Sequence, residues 1–230
     1  MTTVHKSSPR IALALAGGGP LGAIYEIGAL CALEESLEGI DLNRLDHYVG
    51  VSAGGFIAAG LANGMTPRAL CASFIENDNN ASEVFDPSWL MVPAYSEFAR
   101  RAIMAPGLVA SALWHFALGR KSITGALERL GPGLPTGIFS NDEIHTRLER
   151  LFTREGRTND FRQLKARLTL VATNLDSGEA APFGQPGWDH VPISKAVQAS
   201  SALPGLFPPV EIDEKYFVDG ALKKTMHASV

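Results

Sequence analysis

Between positions 46 and 55 the chain reads Asp46-His47-Tyr48-Val49-Gly50-Val51-Ser52-Ala53-Gly54-Gly55. The first half has the composition of a short strand, and the apolar run at 56–61 that of a helix. A Gly-x-Ser-x-Gly turn between a strand and a helix is the pattern of a nucleophile elbow, in which a strained backbone holds the serine hydroxyl clear of the sheet. Side chains in place of Gly50 and Gly54 would collide with the neighbouring strand and helix. The pattern indicates Ser52 as a nucleophile; the alternative is a tight turn whose small residues only allow close packing.

A second glycine cluster, Gly17-Gly18-Gly19-Pro20-Leu21-Gly22, lies upstream between a predicted strand at 11–16 and a predicted helix at 23–35. With the serine turn it makes one βαβ unit, and both loops leave the carboxyl ends of adjacent parallel strands. Open α/β sheets bind their ligands at that edge. A run of backbone N–H groups beside a serine hydroxyl is an oxyanion hole beside a nucleophile.

The same loop also satisfies the dinucleotide-binding pattern Gly-x-Gly-x-x-Gly through Gly17, Gly19 and Gly22. That fingerprint requires an acidic residue at the end of the second strand, about 20 positions further on. Here the second strand, predicted at 47–51, ends in the serine turn, and Asp41 and Asp46 both precede that strand. A nucleotide-binding module without catalysis stays open as an alternative.

Four stretches, taken in order, resemble the motifs of the patatin-like phospholipases. They are the glycine loop at 17–22, the serine turn at 50–54, the stretch 199–210 that reads Ala-Ser-Ser-Ala-Leu-Pro-Gly-Leu-Phe-Pro-Pro-Val, and Asp219-Gly220-Ala221. The resemblance implies an α/β fold with three αβα layers and a central, mostly parallel sheet. One position departs from the pattern: the family often has Arg or Lys where this chain has Leu21, so a cation that could hold a phosphate is missing.

The resemblance also implies a mechanism. Ser52 and Asp219 form a dyad in which Ser52 attacks an ester carbonyl, Asp219 takes its proton, and water resolves the acyl-enzyme. The implied substrate is a lipid ester, such as a phospholipid, a lysophospholipid or an acylglycerol, and no cofactor or metal is implied. Because an aspartate with an ordinary pKa is a weak base at neutral pH, burial and direct contact must raise its basicity.

Backbone N–H groups are implied to hold the tetrahedral oxyanion. The residues predicted to form this oxyanion hole are Gly17, Gly18, Gly19, Leu21, Gly22 and Ala53, and the glycines that the motifs require are Gly50, Gly54 and Gly220. Pro20 has no N–H and cannot donate. Each donor is worth about 3 kcal/mol of transition-state stabilisation.

Other polar residues offer competing interpretations of the site. Ser52, Asp219 and His227 stand in the chain order of an α/β-hydrolase triad. Asp176 is a rival acid, although its Asp-Ser-Gly sequence is common turn chemistry. A module that binds lipid without catalysis is a further alternative.

Capping signals and periodicity predict the later elements. Thr66-Pro67 begins a predicted helix over 68–77, and a capping box at 140–143 begins another that ends near Phe152. Strands are predicted at 167–173, 179–183 and 215–218, and a helix at 192–201.

The predicted helix at 192–201 carries Ser200 and Ser201, which are interpreted as small residues that pack against the sheet. The strand at 215–218 leads into the Asp-Gly motif. If this strand lies parallel beside the serine strand, Asp219 reaches the same edge of the sheet as Ser52.

Residues 85–135 are predicted to form a helical insertion over the active-site edge. Within it, the apolar stretch 102–119 has no charged side chain except a protonatable His115, and Pro106-Gly107 interrupts it. As helix this stretch would be about 27 Å long. Three interpretations stay open: a helix buried in the domain, an apolar cap that contacts lipid or the membrane surface, and a short, broken membrane span.

The bulk properties fit one folded domain over residues 1–230. With 46% apolar and 19% charged residues the chain can bury a core, and its net charge of −4 gives no reason to expect a nucleic acid partner. Cys31 and Cys71 show no metal or disulfide spacing and are expected to be reduced, buried thiols. Because the family continues beyond the Asp-Gly motif, the chain is expected to be the N-terminal part of a longer protein.

The first residues imitate an export signal, since Lys6 and Arg10 precede an apolar run, but that run is only six residues long. It leads directly into the glycine loop, so residues 1–9 are interpreted as a loose tail and 11–16 as the first strand. We therefore expect a cytoplasmic protein, with peripheral membrane contact through 102–119. The sequence predicts no particular oligomeric state.

Overall fold

The computed structural model describes residues 10–76, 92–95, 98–99, 103 and 136–229. The predicted tail at 1–9 and nearly all of the predicted insertion at 85–135, including the stretch 102–119, lie outside these ranges. No helix within the described ranges combines the length and the apolar character needed to cross a membrane.

Five α-helices, six strands and two single turns of 3₁₀ helix lie wholly within the described ranges. The helices are α1 (Gly19–Ser36), α2 (Ala53–Ala62), α3 (Pro67–Phe74), α4 (Asp142–Phe152) and α5 (Ile193–Ser200). The strands are β1 (Ala12–Leu15), β2 (His47–Val51), β3 (Arg167–Asn174), β4 (Ala180–Phe183), β5 (Val210–Ile212) and β6 (Lys215–Asp219). The 3₁₀ turns are Phe161–Gln163 and Gly220–Leu222.

The six strands form one mixed sheet. β1, β2 and β3 are parallel neighbours, whereas β4 and β6 run antiparallel to β3, and β5 runs antiparallel to β6. Four strands, β1, β2, β3 and β5, therefore share one direction. The predicted α/β fold class, with helices flanking a mostly parallel sheet, is confirmed.

β2 and β6 lie end to end along the same side of β3. β2 pairs with residues 167–171 of β3, and β6 pairs with 172–174. The N–H groups of Arg167 and Leu175 donate toward β2 and β6 respectively, and the N–H of Asn174 donates toward β4 on the other side. Since β2 is parallel and β6 antiparallel to β3, their carboxyl ends meet head to head. The last strand therefore does not lie parallel beside the serine strand, and Asp219 reaches the same place as Ser52 from the opposite direction.

Buried apolar side chains form one large cluster, to which all five described helices contribute. Tyr48 of β2 and Leu170 of β3 are fully buried in it. A smaller cluster of Val49, Val51 and Val171 lies on the opposite face of the sheet, because successive residues of a strand point to opposite faces. Burying each such side chain contributes about 1.5–3 kcal/mol to folding, so β2 and β3 are anchored on both faces.

Two predicted helix starts had different outcomes. Thr66 caps α3 as predicted, since its hydroxyl accepts a hydrogen bond of 3.1 Å from the N–H of Ala69. The capping box at Ser140 is placed wrongly: α4 begins at Asp142, and the Ser140 hydroxyl accepts from the N–H of that residue at 3.2 Å. The hydroxyl closes a turn just before the helix because the chain enters α4 one residue later than the pattern requires.

Two further expectations need correction. The helix after the glycine loop begins at Gly19, not at residue 23, because Pro20 fits the first turn of a helix without losing a hydrogen bond. Cys31 and Cys71 are partly exposed, so the prediction of buried thiols is wrong. The short strand β5 was not predicted, since it has only three residues and directly follows Pro208 and Pro209.

Candidate active site

Ser52 stands in the turn between β2 and α2, with φ 51° and ψ −120°. Such a backbone costs about 1–3 kcal/mol and persists only where its surroundings enforce it. A Cβ on Gly50 would lie 2.6 Å from the carbonyl oxygen of Gly54, and a Cβ on Gly54 would lie 2.6 Å from that of Ala16. Gly220 is equally constrained, because a Cβ there would collide with a backbone carbonyl of β3. This is the strained strand–turn–helix geometry of a nucleophile elbow.

The hydroxyl of Ser52 donates a hydrogen bond to the carboxylate of Asp219, with 2.7 Å between Oγ and Oδ2. The other carboxylate oxygen accepts from the N–H of Ala221 at 2.8 Å. Both side chains are buried, with Ser52 8% and Asp219 3% exposed. Burial raises the pKa of Asp219 above its ordinary value, and the Ser52 hydroxyl and the Ala221 N–H offset part of this rise because they stabilise the charged form. A carboxylate with a raised pKa is a stronger base for a serine proton.

The head-to-head arrangement of β2 and β6 explains this contact. Val51, the last residue of β2, pairs with Val171, and Asp219, the last residue of β6, pairs with Ala172. The serine follows Val51 directly, so it arrives beside the aspartate. Both residues are therefore positioned by consecutive residues of one strand.

The glycine loop forms the first turn of α1, and two of its N–H groups are already engaged. The N–H of Gly17 donates to the carbonyl of Thr225 at 2.7 Å, and that of Gly22 donates to the carbonyl of Gly18 at 3.0 Å. An N–H with a carbonyl partner is not available to an oxyanion, so the prediction of Gly17 and Gly22 as donors is wrong. Leu21 was also predicted as a donor. It is not among the residues that line the cavity beside Ser52, which is described below, and its side chain is 81% exposed.

Three N–H groups beside the serine remain candidates for the oxyanion hole: those of Gly18, Gly19 and Ala53. No acceptor for them occurs among the hydrogen bonds of the described residues. Gly19 and Ala53 are the first residues of α1 and α2, where N–H groups have no acceptor within the helix. The positive dipole ends of α1 and α2 therefore both lie beside Ser52.

Glu26 on α1 fixes the start of the glycine loop. Its Oε1 accepts from the N–H of Ala16 at 2.6 Å, and the carbonyl of Ala16 accepts from the N–H of Gly54 at 3.1 Å. The second carboxylate oxygen is buried and has no partner in the described ranges, and burial raises the pKa of Glu26. Sequence reasoning missed this residue, because an acid within an apolar helix pattern gives no sign of what it contacts.

A cavity of about 480 Å³ opens at the serine. Ser52, Asp219 and the glycine loop form one part of its wall, and the rest is mainly apolar. The large apolar side chains that line it are Ile24, Phe56, Phe74, Phe139, Ile144, Leu203, Leu206 and Phe207. Among the described residues of the wall, Asp219 is the one ionisable side chain.

Ser200 is more than a packing residue. Its hydroxyl accepts a hydrogen bond of 2.9 Å from the N–H of Ser52 and donates one of 2.6 Å to the carbonyl of Val171. The neighbouring Ser201 hydroxyl is buried with no partner in the described part of the chain. The interpretation of both serines as packing residues is thus incomplete for Ser200, and no signal in the sequence distinguishes the two.

His227 does not complete a triad in this geometry. The two carboxylate oxygens of Asp219 accept from Ser52 and Ala221, and no hydrogen bond of the described residues joins the imidazole to Ser52 or Asp219. The imidazole Nε2 is buried without a partner among the described atoms. Burial and two nearby lysines lower the pKa of His227. Ser52, Asp219 and His227 therefore stand in the chain order of a triad without the hydrogen bond from His227 that a triad requires.

The other competing acids lie away from the serine. Asp176 is exposed in a turn and accepts from the N–H of Tyr216 at 3.4 Å. Asp46 accepts from the N–H of Ile11 at 2.7 Å, before β1 begins and thus at the opposite end of that strand from the glycine loop. In the described residues no group of three or more His, Cys, Asp or Glu side chains could hold a metal ion.

A family model described as patatin-like phospholipase matches residues 13–228. A cGAMP-activated phospholipase of Escherichia coli (strain TW11681) is 26% identical over 240 residues, which cover 96% of this chain and 54% of the relative. A probable lipid hydrolase of Invertebrate iridescent virus 6 is 22% identical over 205 residues, or 89% of this chain and 58% of the relative. The chain thus spans little more than half the length of these curated relatives.

A solved structure shares the fold. The crystal structure of VipD from Legionella pneumophila is similar to this chain with a TM-score of 0.51 and 20% identity. The similarity covers 97% of this chain and 48% of that chain.

Proposed function

The chain belongs to the patatin-like phospholipase family, and we propose that it is a serine acyl hydrolase that cleaves lipid esters through a Ser52–Asp219 dyad. The observation that carries the proposal is the 2.7 Å hydrogen bond from the buried hydroxyl of Ser52 to the buried carboxylate of Asp219. Relatives named as a phospholipase and as a probable lipid hydrolase support the same class of reaction.

The proposed reaction has two halves. Ser52 Oγ attacks the carbonyl carbon of the ester while its proton passes to Asp219 Oδ2, and the oxyanion is held by the N–H groups of Gly18, Gly19 and Ala53. The tetrahedral intermediate then expels the alcohol, which takes the proton from Asp219, and the acyl group stays on the serine. In the second half water attacks the acyl-enzyme, Asp219 accepts its proton, and the released serine regains its own.

The substrate class follows from the walls of the cavity. An apolar cavity of about 480 Å³ favours an acyl chain, because its side chains offer hydrocarbon contact. The wall described here holds no cation, and the position of the family's Arg or Lys is an exposed Leu21. We therefore propose hydrolysis of acyl esters with a range of head groups. A cytoplasmic location with peripheral membrane contact remains a prediction from the sequence.

The proposal is tested by covalent labelling with a fluorophosphonate, read by mass spectrometry of the intact protein and of its peptides. We expect one adduct, on Ser52, and none in Ser52→Ala. The same protein should release acid from p-nitrophenyl esters and from phospholipid or monoacylglycerol vesicles. A folded chain that neither labels nor hydrolyses any of these would instead be a binding module, and retention of a fluorescent lipid or nucleotide would identify its ligand.

A further inference from the structure

We propose that Ser200 is a positioning residue of this site: its buried hydroxyl holds the backbone of Ser52 in the strained conformation that aims the nucleophile at its base. The inference rests on the proposed function, since it concerns how the dyad is kept in its reactive geometry. It names a residue outside the dyad and the oxyanion loop.

The donor and acceptor roles around Ser200 follow from chemistry alone. The residue is 0% exposed at the last position of α5, so water does not compete for its hydroxyl. A backbone N–H can only donate, so Oγ accepts from Ser52 at 2.9 Å; a carbonyl can only accept, so the hydroxyl proton goes to Val171 at 2.6 Å. The nucleophile's own peptide group is thus linked through one hydroxyl to β3.

This link fixes the φ angle of Ser52, on which the geometry of the elbow depends. The direction of the Ser52 N–H is set by φ, which stands at 51°. Without an acceptor the N–H is a buried, unpaired donor, and the turn gains by rotating toward the ordinary negative φ. Such a rotation swings Cβ and Oγ away from Asp219.

The same strand positions both members of the dyad. Asp219 is paired with Ala172, and Ser52 is tied through Ser200 to the preceding residue, Val171. Their separation is therefore set by adjacent residues of β3. Loss of the hydroxyl removes one of these two ties and leaves the other in place.

Ser194, on the same helix, is a matched control. It is also 0% exposed, and its Oγ lies 3.0 Å from His145 Nδ1 and accepts from Asn159 Nδ2 at 2.9 Å. It lies six positions before Ser200, which is about 9 Å along a helix. Ser194→Ala removes a buried hydroxyl with two partners, as Ser200→Ala does, but far from the nucleophile.

The experiment compares the wild type, Ser200→Ala and Ser194→Ala. It measures the rate of fluorophosphonate labelling, kcat and KM for a soluble p-nitrophenyl ester, and the free energy of unfolding in urea. We expect both variants to lose stability, but only Ser200→Ala to label about ten- to a hundredfold more slowly, with kcat falling in parallel and KM nearly unchanged. Labelling of Ser200→Ala at the wild-type rate, or slowed no more than in Ser194→Ala, would overturn the inference.

Ser200→Cys covers the case in which the alanine variant does not fold. A thiol nearly keeps the volume but is a weak donor and acceptor, so its labelling rate should lie below the wild type while Ser194→Cys stays at the wild-type rate. Equal rates for the two cysteine variants would overturn the inference. Absence of any adduct on the wild-type chain would overturn the proposed function and the inference with it, whereas failure of the inference alone appears only in the variants.

Discussion

Ser52 and Asp219 are 167 positions apart in the chain, yet the hydroxyl of one donates a 2.7 Å hydrogen bond to the carboxylate of the other. The contact exists because β2 and β6 approach each other along one side of β3 and stop at its consecutive residues Val171 and Ala172. Both side chains therefore stand at the ends of sheet strands, where the backbone fixes their separation.

Replacing the acid should remove catalysis and leave the fold. Asp219→Asn keeps the size of the side chain and an acceptor for the N–H of Ala221, but it has no carboxylate to take the serine proton. We expect kcat for a soluble ester to fall by about 10²–10⁴-fold, the usual worth of a general base. Asp176→Asn, in an exposed turn, is the matched control and should keep the wild-type rate. A kcat for Asp219→Asn within about twofold of the wild type would contradict the proposed role.

Activity should fall on the acid side of neutrality. The carboxylate form of Asp219 is the proposed base, so protonation inactivates the site, and burial raises the pKa above the ordinary value of 3.8. A profile of kcat/KM against pH should therefore decline, as pH is lowered, at a midpoint above 3.8. A midpoint at or below the ordinary value would show that burial does not govern this group.

The raised pKa of Asp219 also predicts that its carboxylate lowers the stability of the folded protein at neutral pH. A carboxyl whose pKa is raised on folding favours the folded state at low pH, and this contribution is lost as pH rises through the raised pKa. At neutral pH, where the wild type carries a buried charge, Asp219→Asn should melt at a higher temperature. The difference should disappear below pH 3.8, and thermal unfolding at both pH values tests it. A lower melting temperature for the variant at neutral pH would contradict this prediction.

The elbow should not accept a methyl group at Gly50. An added Cβ would lie 2.6 Å from the carbonyl oxygen of Gly54 and 2.7 Å from the Cα of Gly55, and backbone atoms cannot move aside cheaply. Gly50→Ala should lower the free energy of unfolding by about 1–3 kcal/mol or more. Gly28→Ala is the control: nothing lies within 4 Å of its Cβ, and it should gain up to about 1 kcal/mol from better helix propensity. The free energies of unfolding of both variants are measured in urea. Equal changes in the two variants would rule out the steric argument.

Glu26 should matter through its hydrogen bond and not through its charge. The Glu26 carboxylate accepts from the N–H of Ala16, directly before the glycine loop, so Glu26→Ala should misplace the oxyanion donors and lower kcat by about tenfold or more. Glu26→Gln keeps an acceptor and should retain most of the activity. Glu34→Ala, on the exposed side of α1, should have no effect. An inactive glutamine variant with an active alanine variant would exclude this explanation.

Much of the site could be predicted from local sequence. β2 was predicted with its observed ends, and the serine turn was placed before a helix, because a strand, two glycines and an apolar run each act over a few neighbouring residues. Asp219 was indicated by its resemblance to a family motif. The direction of β6 could not be predicted, since a short strand has the same residue pattern whichever way it runs.

By itself the sequence determined where the elbow and the glycine loop lie, because glycines, prolines and apolar spacing constrain their own backbone. Only the tertiary structure decided which groups are free to act. Thr225 occupies the N–H of Gly17, Ser200 holds that of Ser52, and neither partner is near its donor in the chain. A hydrogen bond needs two atoms within about 3 Å, and which distant residues come that close is settled only when the strands are packed.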